Sequence, residues 1–354
     1  MPTPIKPEDL VFHFLNVGFG DNILIEFPVD SEEKRSYGLV DCRNSKKTAG
    51  YLDELMKVRP GNSELKFVCA THPHFDHISG INSFLKNKKF KVKEFWDSGF
   101  RHKSQTYIKI LESLLLKEIG LNRISSGMER YFGKVQVTAL APSIRLRNKY
   151  ATYGVDMNNA SVVLRFEHHV EDVISIRSKE YSGTSSLDAE REAGRSVVIL
   201  AGDAEYDSWA HITEEFPRLE RTSENKPLVK NMVNCLACSV LKVSHHGSMH
   251  SAPLDVYEKM NPEKAIISTE QEESTKNICG SPQTRGLFPH SLSVTALEEC
   301  DAEICTTDGC YEAANTGDKK KPGSIIVVIP PGGNPRVKKL EDAKDDTPKV
   351  LTVV

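Results

Sequence analysis

Three histidines and an aspartate fall within six positions of one stretch, which reads His-Pro-His-Phe-Asp-His from residue 72. Pro73 favours an extended backbone at His72 and disfavours a helix there. Residues two apart on an extended chain point the same way, so His72 and His74 can hold one metal ion from one side. Asp76 and His77 follow where the chain begins to turn, so they can face a second ion. Neutral imidazole and carboxylate suit zinc, manganese or iron.

The alternative is a polar surface loop that happens to be rich in histidine. A chain with 12 histidines in 354 residues seldom places three in a six-residue window by chance. The run before the cluster, 67–70, is apolar and reads as the end of a buried strand. Gly80 and a helix-like segment, 81–85, follow it. The cluster is therefore predicted to lie on a loop at the carboxyl end of a strand, where metal ligands are readily presented.

Two further polar groups follow apolar strands in the same way. Asp203 comes after the run 196–201, and His245 and His246 come after the run 239–243. Asp203 is a candidate for bridging two ions. Either His245 or His246 can complete the second metal site, and the other can donate a proton or hold the substrate.

Other polar positions have competing explanations. Asp41 ends a short strand, where it either orients a metal-bound histidine or serves as a turn residue. The segment 86–93 has five lysines, which either follow a phosphate backbone or form a solvated face, the interpretation we favour. Cys235 and Cys238 resemble half of a zinc site, but buried thiols explain them better. His13 alternates with apolar residues and is predicted to be a packed strand histidine.

The composition is that of a soluble globular protein. Hydrophobic residues make up 39% and charged residues 27%, and the net charge of −3 provides no global basic field for nucleic acid. There is no run of about 20 apolar residues, so we expect no membrane span. The first ten residues lack the apolar core of a signal peptide. We therefore expect a cytoplasmic location, with cysteines that are free thiols.

Hydrophobic periodicity predicts an α/β fold of two mixed β-sheets flanked by helices. Residues 1–333 are expected to form one domain, with polar insertions near 171–195 and 213–234. Residues 334–354 are rich in lysine and aspartate and are predicted to be a flexible charged tail. The predicted strands lie at 11–17, 22–27, 37–41, 67–70, 95–97, 135–140, 162–166, 196–201, 239–243, 265–268, 302–305 and 324–329, and the predicted helices at 48–58, 81–85, 106–119 and 293–299.

These motifs together resemble the metallo-β-lactamase fold superfamily, whose H-x-H-x-D-H signature is matched in full at 72–77. Within it the chain is similar to stand-alone relatives of the hydrolase domain of ComEC, the DNA-uptake protein. Phe-Leu-Asn-Val-Gly-Phe-Gly-Asp at 14–21 resembles that group's opening F-L-D-V-G-Q-G-D. The segments 158–161, 201–203, 242–248 and 306–309 resemble the later sequence motifs of that group, in the same order.

The resemblance implies an αββα sandwich and a centre for two divalent ions, Zn²⁺ or Mn²⁺. It assigns His72 and His74 to the first ion. It assigns Asp76, His77 and His245 to the second ion, and Asp203 as the carboxylate that bridges the two. Many superfamily members have a third histidine near 158–161. Here Asn158 and Asn159 stand there, as in ComEC-like members. An asparagine oxygen would then take that role, or the first ion would be held less completely.

The resemblance also implies hydrolysis of phosphodiesters in DNA or nucleotides by a hydroxide held between the ions. Asp76 would be catalytic through the metal, and His246, His250 or His290 would protonate the leaving oxygen. One alternative is hydrolysis of a lactone, thioester or β-lactam at the same site. Another is a metal-binding regulatory subunit that has no turnover and acts with a protein partner.

Overall fold

A computed structural model describes residues 3–30, 32–100, 102–153, 156–170, 197–216, 219–221, 231–233, 236–270 and 288–354. Its strands are β1 (Leu10–Phe14), β2 (Asn22–Glu26), β3 (Arg35–Cys42), β4 (Gly61–Cys69), β5 (Lys91–Asp97), β6 (Gly120–Arg123), β7 (Glu129–Phe132), β8 (Val135–Ala141), β9 (Val163–His168), β10 (Val197–Leu200), β11 (Leu219–Arg221), β12 (Asn231–Val233), β13 (Val240–Lys242), β14 (Lys264–Ile267), β15 (Glu303–Thr306), β16 (Ile325–Ile329) and β17 (Arg336–Lys339).

The helices cover the outer faces of the sheets. They are α1 (Ser45–Val58), α2 (Phe75–Ile78), α3 (Ile81–Leu85), α4 (Gln105–Leu116), α5 (Ile144–Tyr153), α6 (Tyr206–Glu215), α7 (Leu254–Met260), α8 (Ser291–Glu299) and α9 (Cys310–Thr316), with 3-10 turns at Asn158–Ala160 and Ser244–Gly247. Within the described ranges, no helix is both long enough and apolar enough to cross a membrane.

Two mixed sheets form the body of the fold, as the sequence predicted. The first runs β17-β16-β1-β2-β3-β4-β5-β6, antiparallel up to β3 and parallel from β3 to β6. The second runs β15-β14-β13-β10-β9-β8-β7, with β10 and β13 to β15 parallel and the rest antiparallel. With helices on the outside, this is the predicted α/β architecture of two packed sheets.

The main apolar core fills the space between the sheets. Phe12 of β1 meets Phe166 of β9 edge to face, and Phe67 of β4 stacks on Trp96 of β5. His13 lies on the opposite face of β1, where its ring nitrogens contact the Tyr51 hydroxyl at 3.0 Å and Glu26 Oε2 at 3.2 Å. It is thus a packed strand histidine with polar partners.

Parallel pairing brings the chemically important loops to one edge of the structure. The histidine loop follows β4, whose neighbour β3 ends beside Asp41, and β3 pairs with β4 in parallel. Asp203 follows β10 and the His245–His246 turn follows β13, and these strands are also parallel neighbours. Carboxyl ends of parallel strands share an edge, so each sheet contributes a cluster of polar loops there.

The predicted insertions are described only in part. Residues 171–195 lie outside the described residues. Of the segment 213–234, α6 continues to Glu215, and β11 pairs antiparallel with β12. Cys235 also lies outside the described residues, while Cys238 is a buried free thiol.

The segment 334–354, predicted from the sequence to be a flexible charged tail, contains residues that pack against the domain. Strand β17 pairs with β16, with Val337 opposite Val327. Asp342 is buried, and its Oδ2 accepts a hydrogen bond from the Lys47 ammonium at 2.6 Å. Asp342 therefore neutralises a lysine that is itself buried. Charge composition alone does not reveal such a pairing.

We predict that Asp342→Ala lowers the free energy of unfolding by about 3–5 kcal/mol, because it leaves the Lys47 ammonium buried without its counter-ion. Chemical denaturation of the full-length protein measures this change. Asp345→Ala, an exposed neighbour, is the control and should have little effect. Equal stability of the Asp342 variant and the wild type would support the prediction that 334–354 is a flexible tail.

Candidate metal centre

The histidine loop has the extended-then-turning shape that its sequence indicated. His74 is the extended residue before α2, with φ −77° and ψ 151°, and Asp76 and His77 lie within that short helix. The rings of His72 and His74 are 4.6 Å apart between centroids, and those of His72 and His77 are 4.3 Å apart. The loop therefore gathers its imidazoles on one side of the chain.

Asp203 lies at the meeting point of side chains from both sheets. Its Oδ2 is 3.2 Å from His77 Nε2 and 3.6 Å from His72 Nε2, and its Oδ1 is 3.8 Å from His246 Nε2. Asp76 Oδ2 lies 3.6 Å from His77 Nε2 and 3.5 Å from His246 Nε2. Asp203 is thus placed as a bridging carboxylate would be, between two groups of imidazoles.

Several of these atoms are buried without a hydrogen-bond partner in the described part of the chain. They are His72 Nε2, His77 Nε2, His246 Nε2 and Asp203 Oδ1. Buried polar atoms without partners are costly and rare in native proteins. Their convergence, and their chemistry of imidazole and carboxylate, fit divalent metal ions as the missing partners.

The electrostatics of the cluster agree with this interpretation. Burial lowers the pKa of His72 well below its usual value, which keeps the ring neutral and able to ligate. Burial opposes ionisation of Asp203, but the imidazoles of His77 and His246 outweigh it and hold the carboxyl pKa well below its usual range. For His77, burial is outweighed by Asp203 and Asp41, which hold the imidazole pKa well above its usual value. The carboxylates of Asp203 and Asp41, which stabilise a proton on His77, would also stabilise a bound cation.

Fixed partners behind two of the imidazoles aim their Nε2 atoms inward. His77 Nδ1 donates to Asp41 Oδ2 at 2.7 Å, and Asp41 also accepts bonds from the Thr71 amide at 2.8 Å and hydroxyl at 2.7 Å. His246 Nδ1 donates to the Ser268 carbonyl at 2.7 Å. Such partners fix the tautomer and orientation of a ligating histidine. Asp41 therefore orients His77, one of the two roles that the sequence left open.

The two histidines after β13 point to different places. His245 and His246 both have left-handed backbones, with φ 45° and 51°, and this turn separates their side chains. His246 is fully buried and faces Asp76 and Asp203, whereas His245 Nδ1 contacts Glu205 Oε1 at 2.8 Å and its side chain is 20% exposed. The structure brings His246 into the cluster, in the place that the resemblance gave to His245.

The remaining predicted residues surround this centre. Asn158 donates from Nδ2 to Glu205 Oε1 at 3.1 Å, and its Oδ1 is buried without a hydrogen-bond partner among the described residues. Asn159 Oδ1 accepts from the Ser208 amide at 3.0 Å. His290 uses its Nδ1 to cap α8, accepting from the Leu292 amide at 3.2 Å. Asn158 thus keeps an oxygen free for a ligand, whereas Asn159 and His290 have local structural partners.

Sequence reasoning missed two buried residues beside the centre. Asp21 shares a compact group with His77, Asp203 and His246, in which one potential ligand atom of each lies within 4.8 Å of the others. Lys242 pairs with Asp21 at 2.5 Å. The sequence did contain one signal for this pair. Lys242 ends an otherwise apolar strand, and a lysine buried there needs a buried counter-ion.

Comparison with known proteins identifies the family. The model of the metallo-beta-lactamase superfamily matches residues 32–248, more than half of the chain. The chain belongs to this superfamily. With the buried His/Asp cluster, this membership defines a metal-dependent hydrolase that uses divalent ions. Comparison with curated proteins gave no match.

Several solved structures are similar to this chain, at low sequence identity. The metallo-beta-lactamase fold protein YhfI from Bacillus subtilis is 12% identical, with a TM-score of 0.43 over 84% of this chain and 96% of that one. Igni18, a metallo hydrolase from the archaeon Ignicoccus hospitalis, is 11% identical, with a TM-score of 0.39 over 84% and 94%. A long form RNase Z from yeast is 12% identical, with a TM-score of 0.35 over 85% and 41%.

We predict that His246→Ala weakens binding of the second metal ion by at least about 100-fold, because it removes an inward-facing imidazole. His245→Ala, the matched control from the same turn, should change metal affinity by less than about tenfold. Titration with Zn²⁺ or Mn²⁺ by calorimetry, after removal of bound metal with a chelator, measures both. A larger loss in the His245 variant would return the ligand role to His245.

Proposed function

We propose that the protein is a phosphodiesterase that cleaves DNA or nucleotides at a centre for two divalent ions. The observation that carries the proposal is the convergence of unpartnered Nε2 atoms from His72, His77 and His246 on Asp203. The phosphodiester substrate is supported by the ordered set of ComEC-like motifs described above. Zn²⁺ and Mn²⁺ both suit these ligands.

The geometry favours a division of the ligands between two ions. His72 and His74 would hold the first, with the free oxygen of Asn158 as the nearest replacement for a third histidine. Asp76, His77 and His246 would hold the second, and Asp203 would lie between them. Two divalent ions held by these residues would supply a nucleophilic hydroxide at neutral pH and would neutralise the charge of a phosphodiester.

The protein's own groups would then orient the reaction. Asp41 keeps His77 aimed at Asp203, and the Ser268 carbonyl does the same for His246. His245 stands at the rim with its Nδ1 held by Glu205, so its Nε2 is available to bind or protonate the leaving oxygen. We therefore assign to His245 the proton-donor role that the sequence offered to His246, His250 or His290.

The lysine-rich segment 86–93 does not support the choice of a phosphodiester substrate. All five of its lysines are exposed, and Lys89 pairs with Asp53 at 2.8 Å. Lys91 lies opposite Glu64, whereas the histidine loop begins after Cys69, five residues further along β4. At about 3.3 Å per residue, Lys91 lies roughly 17 Å along the sheet from the start of that loop. They form a solvated face, as favoured from the sequence.

We predict that Asp76→Ala and His77→Ala each reduce metal-dependent cleavage of a phosphodiester by at least about 100-fold, because each removes a ligand of the second ion. Initial rates with bis-p-nitrophenyl phosphate, single- and double-stranded DNA and cyclic nucleotides, in added Mn²⁺ or Zn²⁺, measure this. Asp53→Ala, a half-buried aspartate on α1 that pairs with Lys89, is the control and should keep the wild-type rate.

The same panel includes a lactone, a thioester and a β-lactam. Turnover of one of these, with no phosphodiester cleavage, would replace the proposed substrate class while retaining the metal centre. Metal binding without turnover of any substrate would indicate a regulatory subunit instead. Wild-type rates in both ligand variants would overturn the site assignment itself.

A further inference from the structure

A buried ion pair joins the two sheets directly beneath the metal centre. Asp21 precedes β2 in the first sheet, and Lys242 is the last residue of β13 in the second. The Lys242 ammonium lies 2.5 Å from Asp21 Oδ2, and the two side chains are 0% and 1% exposed. Because ions are expensive to bury, such a pair persists only where each charge keeps its partner.

On the first sheet, Asp21 contacts the histidine loop directly. Its amide donates to the Asp76 carbonyl at 3.3 Å, and its Oδ2 lies 3.8 Å from His77 Nδ1. The preceding Gly20 has φ +126°, and a Cβ there would lie 2.3 Å from the Asp76 carbonyl oxygen. Gly20 and Asp21 are thus pressed against the loop that carries Asp76 and His77.

On the second sheet, Lys242 belongs to the backbone that presents Asp203 and His246. It is paired with Leu200 across the β10–β13 ladder, and its carbonyl accepts from the Ala201 amide at 3.4 Å. The His245 amide in turn donates to the Gly202 carbonyl at 3.0 Å. Moving Lys242 would therefore move both second-sheet loops that supply inward-facing groups.

We propose that the Asp21–Lys242 pair is a positioning device that sets the distance between the ligands of the first sheet and those of the second. This inference rests on the proposed metal centre and adds to it two residues that are not themselves assigned as ligands. The centre draws His72, Asp76 and His77 from one sheet but Asp203 and His246 from the other. Metal affinity requires these atoms to be held within fractions of an ångström, and apolar packing between sheets is not directional enough to do so alone.

The test compares two buried lysines that have the same kind of partner. Lys242→Met removes the ammonium beside the centre. Lys47→Met, the matched control, removes the ammonium paired with Asp342 at 2.6 Å, which links α1 to the C-terminal segment. Both variants should unfold at a lower temperature than the wild type. Only Lys242→Met should weaken Zn²⁺ or Mn²⁺ affinity, by at least about tenfold, the effect typical of residues that position ligands.

A spectroscopic signature separates positioning from general loss of stability. The visible absorption bands of the Co²⁺-loaded protein report the geometry of the ligands. We expect these bands to shift in Lys242→Met and to stay unchanged in Lys47→Met. Wild-type affinity and bands in Lys242→Met, or equal changes in both lysine variants, would overturn the inference.

The double variant Asp21→Asn with Lys242→Met keeps the test decisive if the single variant does not fold. It leaves no unpaired buried charge, so it should fold, yet it lacks the link between the sheets. We expect the same loss of metal affinity, of at least about tenfold. Wild-type affinity in the double variant would contradict the positioning role. Failure of the wild type to bind metal would instead contradict the proposed function itself.

Discussion

Buried imidazole and carboxylate groups that face one another without hydrogen-bond partners are the constraint on which this structure depends. His72, His77, His246 and Asp203 are held inside the protein although each keeps an unpartnered polar atom within the described residues. Folding would ordinarily exclude such an arrangement, because it desolvates polar atoms without giving them hydrogen-bond partners. Divalent ions would provide the missing partners, which is the physical reason to expect the surrounding structure to preserve the cluster.

The two-sheet fold meets this constraint by dividing the ligands. Parallel strands β3 and β4 of the first sheet and β10 and β13 of the second end at a common edge, so short loops bring their polar residues together. Hydrogen bonds behind two of these imidazoles then fix their direction, since His77 donates to Asp41 and His246 donates to the Ser268 carbonyl. The core between the sheets supplies stability, while the polar bonds at the edge supply precision.

Sequence patterns predicted the two mixed sheets, the helices α1, α3, α4 and α8 and the loop 72–77, because hydrophobic periodicity and the effect of Pro73 are local. They did not predict α5, α6, α7 or α9. They did not distinguish His245 from His246, since that depends on two consecutive left-handed residues that the letters do not reveal. They also missed the partnerships of Asp21 with Lys242 and of Lys47 with Asp342. These pairs join residues hundreds of positions apart, so a charge that looks solvated in the sequence is buried in the fold.

The most direct test of the account is the number of divalent ions bound per chain. Wild-type protein purified without chelator, and then dialysed against Zn²⁺ or Mn²⁺, can be analysed by inductively coupled plasma mass spectrometry. The arrangement of ligands on either side of Asp203 predicts two ions per chain. Fewer than one ion per chain, in protein that remains folded by circular dichroism, would contradict the metal centre and the hydrolytic chemistry derived from it.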